Sequence, residues 1–317
     1  MDMQKRLVVV GSINMDLVAA TERIPLAGET VSGTSFRSFP GGKGANQAFA
    51  AARLRAPVSM IGKVGNDAFG AELRASLDAS GVDTAAVGVA PTSSGLAQIT
   101  AAANGENAIV VVGGANSHLS PRDLDEQLDL IREASILLTQ LEIPFETVEH
   151  LAVIARRESI PLVLDPAPAR PLPTSLLRCV DWLTPNETET CSLLEVKAQE
   201  LGQKELDEAA TLLLQRGSRN VVLKLGKRGC YLAFSDGRRI LVPAFTVRAV
   251  DTTGAGDAFN GAFAAAILQG KDPISSASWA SAVAAISVTR HGAQPSMPTQ
   301  EEVEVFLAEN ADLQRTT

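Results

Sequence analysis

The chain has 317 residues and a formal net charge of −8, with 45% hydrophobic but only 4% aromatic residues. That length buries a large core of Ala, Val, Leu and Ile, as one big domain or two, and the varied sequence with 20% charged residues argues against disorder. No basic, aromatic-studded face for nucleic acid is found, and no apolar run reaches the ~20 residues that span a bilayer.

Residues 1–6 lead directly into LVVV at 7–10, a run too short for a signal sequence and extended in character. Residues 44–54 and 68–79 are Ala/Leu-rich helical stretches, with an extended run at 58–61 between them. Segments 15–39 and 96–113 alternate with period two, and Asn104-Gly105 between two such runs is a hairpin signal. They predict a small antiparallel sheet projecting from the main body, as a lid or a dimer surface. Buried parallel strands are expected at 136–140, 161–165, 182–184 and 220–224, beside helical periodicity at 145–157 and 204–215. This alternation gives an α/β fold, a doubly wound, mostly parallel sheet with helices on both faces. Cys179, Cys191 and Cys230 are odd in number and widely spaced, so they read as buried small residues in a reducing compartment, and a cytoplasmic location is expected.

Six motifs carry candidate chemistry. GSINMD at 11–16 ends the first strand at the sheet edge where ligands bind, and there Asn14 and Asp16 suit vicinal sugar hydroxyls. PGGKGAN at 40–46 opens a helix with three glycines and Asn46, but it is not a P-loop because GxxxxGK[ST] is absent. TPNETE at 184–189 offers Asn186 and Glu189 to the waters around a magnesium ion, or is simply a helix start. KLGKRG at 224–229 is a strand-to-strand turn over which a nucleotide fits. RHGAQPSMP at 290–298 follows an Ala-rich helix at 276–289 and is dense in carbonyls and hydroxyls that suit a monovalent cation.

The strongest motif is DTTGAGDAFNG at 251–261, which runs from the extended stretch 245–250 into an apolar helix. Its glycines expose first-turn amides to an anion at the positive end of that helix. A carboxylate in the same turn accepts the proton of a hydroxyl beside the anion. Anion cradle plus base is what phosphoryl transfer to an alcohol requires.

Together with QLE at 140–142 and DPAPAR at 165–170, and in this order, the motifs resemble those of the ribokinase-type (PfkB) carbohydrate kinases over nearly the whole chain. The resemblance implies one Rossmann-like domain over 1–317, with a β-sheet lid from about 15–39 and 96–113 that also clasps a homodimer. It implies transfer of the ATP γ-phosphate to the 5-hydroxyl of D-ribose, with Asp257 as base in a catalytic turn with Gly254, Ala255 and Gly256, and with the amides of Ala255, Gly256 and Asp257 acting as the anion hole. It puts Asn14, Met15, Asp16, Gly42, Lys43, Gly44, Ala45, Asn46 and Glu142 around the sugar. The nucleotide falls to Asn186, to the turn Lys224, Leu225, Gly226, Lys227, Arg228 and Gly229, and to Gly256, Asp257 and Ser281. Potassium falls to Asp251, Thr253, Ser287, Arg290, Gly292 and Ser296, while Glu189 assists magnesium indirectly. One departure is Ser281, where the family often carries His or Asn near adenine.

Other readings are a kinase for another small sugar or a nucleoside (deoxyribose, fructose or an adenosine-like acceptor), or an inactive sugar-binding regulator. A dehydrogenase is disfavoured because GxGxxG does not follow the first strand.

Overall fold

The computed structural model describes residues 5–310, so residues 1–4 of the leading hexapeptide and 311–317 at the end of the expected 1–317 unit lie outside it. Its strands are β1 (Leu7–Val10), β2 (Asn14–Thr21), β3 (Gly33–Gly41), β4 (Val58–Gly65), β5 (Val87–Ala90), β6 (Gly95–Ala102) and β7 (Asn107–Val112). They continue with β8 (Ile136–Thr139), β9 (Leu162–Leu164), β10 (Trp182–Leu183), β11 (Asn220–Lys224), β12 (Cys230–Phe234) and β13 (Arg239–Val242). The helices are α1 (Lys43–Arg53), α2 (Ala68–Ser80), α3 (Pro121–Glu126), α4 (Leu128–Arg132), α5 (Phe145–Glu158) and α6 (Thr174–Leu177). After these come α7 (Glu187–Leu193), α8 (Gln203–Gln215), α9 (Ala255–Leu268), α10 (Pro273–Ser287) and α11 (Gln300–Glu309).

A nine-stranded sheet runs in the order β13-β12-β11-β10-β9-β8-β1-β4-β5. From β11 to β5 every pairing is parallel; β12 lies antiparallel to β11 and β13. The continuous apolar runs follow from burial on both faces. In β1, Leu7 and Val9 join one core with α1, α9 and α10, while Val8 and Val10 join the other with α5 and α8. The period of two therefore divides one short strand between two cores.

A second sheet has the order β3-β2-β6-β7 and is built from the two alternating segments. Its outer pairs, β2–β3 and β6–β7, are antiparallel, and the Asn104-Gly105 hairpin joins the latter. The middle pair, β2–β6, is parallel because the chain crosses the main body between them. The expected extended stretch 245–250 forms no strand. Its residues instead line a cleft, described below.

Candidate active site

The site is assembled at the carboxyl ends of β1, β8 and β11, where α1 and α9 begin. Gly254 caps α9 with φ 73°, and a Cβ there would lie 2.9 Å from that of Ala293, so the turn requires glycine both for its backbone and for its space. The Ala255 amide donates to the Thr252 carbonyl at 3.2 Å. This is a departure from the expected three-amide hole: the first-turn amides of Gly256 and Asp257 are the ones left to face an anion.

Asp257 is 6% exposed and sits between two helices. Its Oδ2 accepts Asn46 Nδ2 at 2.9 Å, and its Oδ1 accepts Gln47 Nε2 at 3.1 Å. The same Gln47 nitrogen donates to Asp165 Oδ2 at 2.9 Å, and Asp165 Oδ1 accepts Lys224 Nζ at 3.0 Å. Gln140 donates to Gln47 Oε1, and Gln294 to Asn46 Oδ1, so both amides are held at each end. Close helix packing makes this possible: a Cβ on Gly261 of α9 would lie 2.3 Å from the Gln47 carbonyl on α1. Burial, the dominant cause, drives the Asp257 pKa up to about 6; Asp165 and Glu142 add to this, against Lys43 and the Asn46 hydrogen bond. A carboxylate tuned toward neutrality is suited to general base work.

Across from it, β2 carries Asn14 and Asp16 and the start of α1 carries Lys43 and Asn46. Asn116 donates to Asn14 Oδ1 at 2.6 Å and to the Ile13 carbonyl, which fixes the Asn14 amide and leaves its Nδ2 to donate. Glu142, just beyond β8, accepts from Ser12 Oγ at 2.6 Å and from the Lys43 amide at 3.1 Å. Asp16 is raised to about 7 by burial and then by the charges of Glu142 and Asp257, with Lys43 opposing. Burial would lower Lys43, but Asp257, Asp165, Glu142 and Glu189 together hold it above its ordinary value. Three carboxylates and one ammonium thus face a common space. Gly42 caps α1 at its rim.

Three residues expected on the sugar have their side chains or amides engaged within the protein. Met15 and Ala45 have side chains wholly buried in the hydrophobic core. The amides of Gly44 and Ala45 are used by Ser12, through its hydroxyl and its carbonyl, which seats α1 against β1.

On the other side of the α9 turn lies a cleft of about 610 Å³, within the range of small-molecule sites. Lys224, Gly226, Lys227, Gly229, Gly256 and Ser281 line it, with apolar walls from Phe245, Val247, Phe259 and Val288. Leu225 and Arg228, expected here, do not: Leu225 is buried in the second core, and the Arg228 guanidinium pairs with Glu187 and donates to the Leu201 carbonyl. Asn186 and Glu189 form a reciprocal cap on α7: the Glu189 amide donates to Asn186 Oδ1, and the Asn186 amide to the Glu189 carboxylate at 2.7 Å. Burial raises the Glu189 pKa despite the charge of Lys224 beside it. Among the described residues no group of three His, Cys, Asp or Glu side chains is placed to hold a metal ion.

Behind the turn, Asp251 accepts the amides of Thr253 and Gly292, each at 2.9 Å. The amides of Val250 and Asp251 donate to the Val288 carbonyl, so strands of loop 250–253 and 288–293 are laced together. Burial would raise the Asp251 pKa, but the hydrogen bonds from Gly292 and Thr253 outweigh it and hold it low. Ser287 and Ser296 are buried near this loop, with Ser296 Oγ donating to the Ala293 carbonyl at 2.7 Å, while the Arg290 side chain pairs outward with Glu302. The carbonyls and the Asp251 carboxylate are oxygen donors of the kind a monovalent cation takes.

Sequence reasoning missed Ser12, Gln47, Asn116, Asp165 and Gln294. Ser12, Asp165 and Gln294 lie within motifs noted above and Gln47 directly follows one, but nothing in the linear order shows that they would meet. No helix among the described residues is long and apolar enough to cross a membrane.

The profile of the pfkB family of carbohydrate kinases matches residues 4–300. Ribokinase of Bacillus subtilis is 43% identical, over 96% of this chain and 100% of its own. Deoxyribokinase of Salmonella typhi is 38% identical, over 96% and 99%. The structure of Arabidopsis thaliana ribokinase complexed with ribose and ATP superposes with a TM-score of 0.90 at 35% identity, covering 96% of this chain and 98% of that one. Geometry and comparison agree: the chain belongs to the pfkB family of carbohydrate kinases.

Proposed function

We propose that the chain transfers the γ-phosphoryl group of ATP to the 5-hydroxyl of D-ribose, giving ribose 5-phosphate and ADP. The observation that carries this reading is Asp257, a buried carboxylate in the first turn of α9 with a polar pocket on one side and the 610 Å³ cleft on the other. The similarity to ribokinases, one of them bound to ribose and ATP, supports it.

In the step itself, the 5-oxygen attacks the γ-phosphorus, the bond from phosphorus to the β-phosphate oxygen breaks, and Asp257 takes the hydroxyl proton. The amides of Gly256 and Asp257 lie where the charge on the phosphoryl oxygens develops. Asn14, Asp16, Asn46 and Glu142 orient the sugar, which supplies much of the rate. Magnesium would be held by phosphate oxygens and water, with Asn186 and Glu189 at its water shell, and would neutralise the triphosphate; a hard cation that keeps its waters needs no three-carboxylate cage. Potassium would be held by Asp251, Ser296 and the carbonyls of Thr253, Ser287, Arg290 and Gly292, bracing the anion-hole turn.

The four-stranded sheet is read as a lid and as the contact of a homodimer. Its edge strand β7 exposes Ile109, Val110, Val111 and Val112, and Phe36 is 65% exposed on β3. Such apolar, unpaired edges call for a partner. A dimer mass by light scattering tests this. Three free cysteines favour a reducing, cytoplasmic setting.

Ribose and 2-deoxyribose are the acceptors to separate, since a deoxyribokinase is among the relatives. The fixed Asn14 amide offers a donor to a sugar hydroxyl, and a site built for a hydroxyl rejects the analogue lacking it. Steady-state assays should give kcat/KM clearly favouring ribose; equal values refute the assignment of Asn14.

A further inference from the structure

Gln294 opens the short turn Gln294–Ser296 and is 3% exposed. The turn is seated from both sides. The Ser296 amide donates to the Ala293 carbonyl and the Met297 amide to the Gln294 carbonyl, each at 3.2 Å, while the Met297 side chain is buried in the first core. Ala293 itself abuts Gly254, the cap of α9. From this seat the Gln294 side chain reaches across to α1. Its Nε2 donates to Asn46 Oδ1 at 3.2 Å, and its Oε1 accepts Ser76 Oγ of α2 at 3.4 Å. An amide side chain has one oxygen that accepts and one nitrogen that donates. With its oxygen taken by Gln294, Asn46 turns its Nδ2 to Asp257 Oδ2, at 2.9 Å. The reverse orientation would set the Asn46 oxygen against a buried carboxylate and its nitrogen against the Gln294 nitrogen, leaving buried groups unpaired.

Resting on the kinase reading, we propose that Gln294 is a positioning residue for the base: through Asn46 it fixes a hydrogen-bond donor on Asp257, which keeps that carboxylate ionised and oriented. The turn that carries Gln294 also packs against the α9 cap, so one loop sets both the base and the helix start that bears it. Asp257 faces Lys43 on α1, Asp16 on β2, Glu142 beyond β8 and Asp165 beyond β9, with Lys224 of β11 behind Asp165. Burial pushes its pKa up to about 6, and the Asn46 hydrogen bond works against that rise. Loss of the ordered donor therefore raises the pKa further and lowers the ionised fraction below it. The Gln47 donor on Oδ1 is separate from this arm, so a change at Gln294 leaves it in place.

The test compares the wild type with Gln294→Met, which keeps the length and loses both hydrogen bonds, and with Gln294→Glu, which keeps the shape but cannot donate as a carboxylate. The Asp257 carboxyl is titrated by carbon-13 NMR, its signal identified by its loss in Asp257→Asn, and kcat/KM for ribose is followed from pH 5 to pH 8. Gln294→Met should raise the Asp257 midpoint and lower kcat/KM by about 10-fold at pH 5 but by less than about 2-fold at pH 8. Gln294→Glu should move both in the same direction and further, because it adds a charge, and it reads the effect if the Met variant fails to fold. A loss of rate equal at all pH values, with Asp257 titrating as in the wild type, would overturn the proposal, since Gln294 would then only fill space. So would a loss that added potassium restores at every pH, which would confine Gln294 to the cation loop. If the Asp257 midpoint rises as expected yet the wild type phosphorylates no ribose, the acceptor assignment fails and the positioning role stands.

Discussion

Asp16 carries a stability cost that can be measured. In the unfolded chain its carboxyl titrates near ~3.9; in the folded site burial, Glu142 and Asp257 raise it to about 7. Between those values the folded state binds more protons than the unfolded one, so stability falls as pH rises through that window. Below both values the cost is absent. Integrating the linkage gives up to about 1.5 kcal/mol at pH 5 and about 4 kcal/mol at pH 8. Asp16→Asn removes the charge and keeps the shape. The variant should therefore be more stable than wild type by those amounts, in urea melts at the two pH values, while losing sugar affinity. A gain that is the same at pH 5 and pH 8, or a loss at pH 8, refutes the argument that carboxylate crowding around Asp16 destabilises the fold.

Asp257 must be ionised to accept a proton, so kcat/KM should climb with pH through an apparent pKa near 6; a profile flat from pH 5 to 8 contradicts its role as base. Gly261→Ala places a Cβ 2.3 Å from the Gln47 carbonyl and should cost about 1–3 kcal/mol by forcing α1 from α9, read as a lower melting temperature with lower kcat. Replacing potassium with tetramethylammonium should lower the rate, because that ion is too large to be held by the Asp251 carboxylate and nearby carbonyls; an unchanged rate removes the cation from the account.

The sequence was most readable where a single segment sets the structure. LVVV at 7–10, the Asn104-Gly105 hairpin and the glycine turn before α9 each carry their own periodicity or backbone requirement, and each forms as its pattern implies. Asn14, Asp16, Asn46, Glu142 and Asp257 were legible by residue type, although they lie on four separate segments. Stretch 245–250 was misleading, since Phe245, Thr246 and Val247 face a cleft rather than a neighbouring strand. Arg228 and Leu225 turn their side chains away from the cleft, because a motif gives residues in order and not the direction of each side chain. The Gln47 bridge to Asp165 and Asp257 reaches across 118 and 210 residues of sequence, and only the folded packing around α1 and α9 brings it into being.

The central claim is that Asp257 deprotonates the sugar hydroxyl during phosphoryl transfer from ATP. Steady-state turnover of ribose and ATP by Asp257→Asn tests it most directly, with ATP and ribose binding measured beside it. The account predicts a fall in kcat of at least ~10²-fold with both substrates still bound. Turnover near that of the wild type would contradict it.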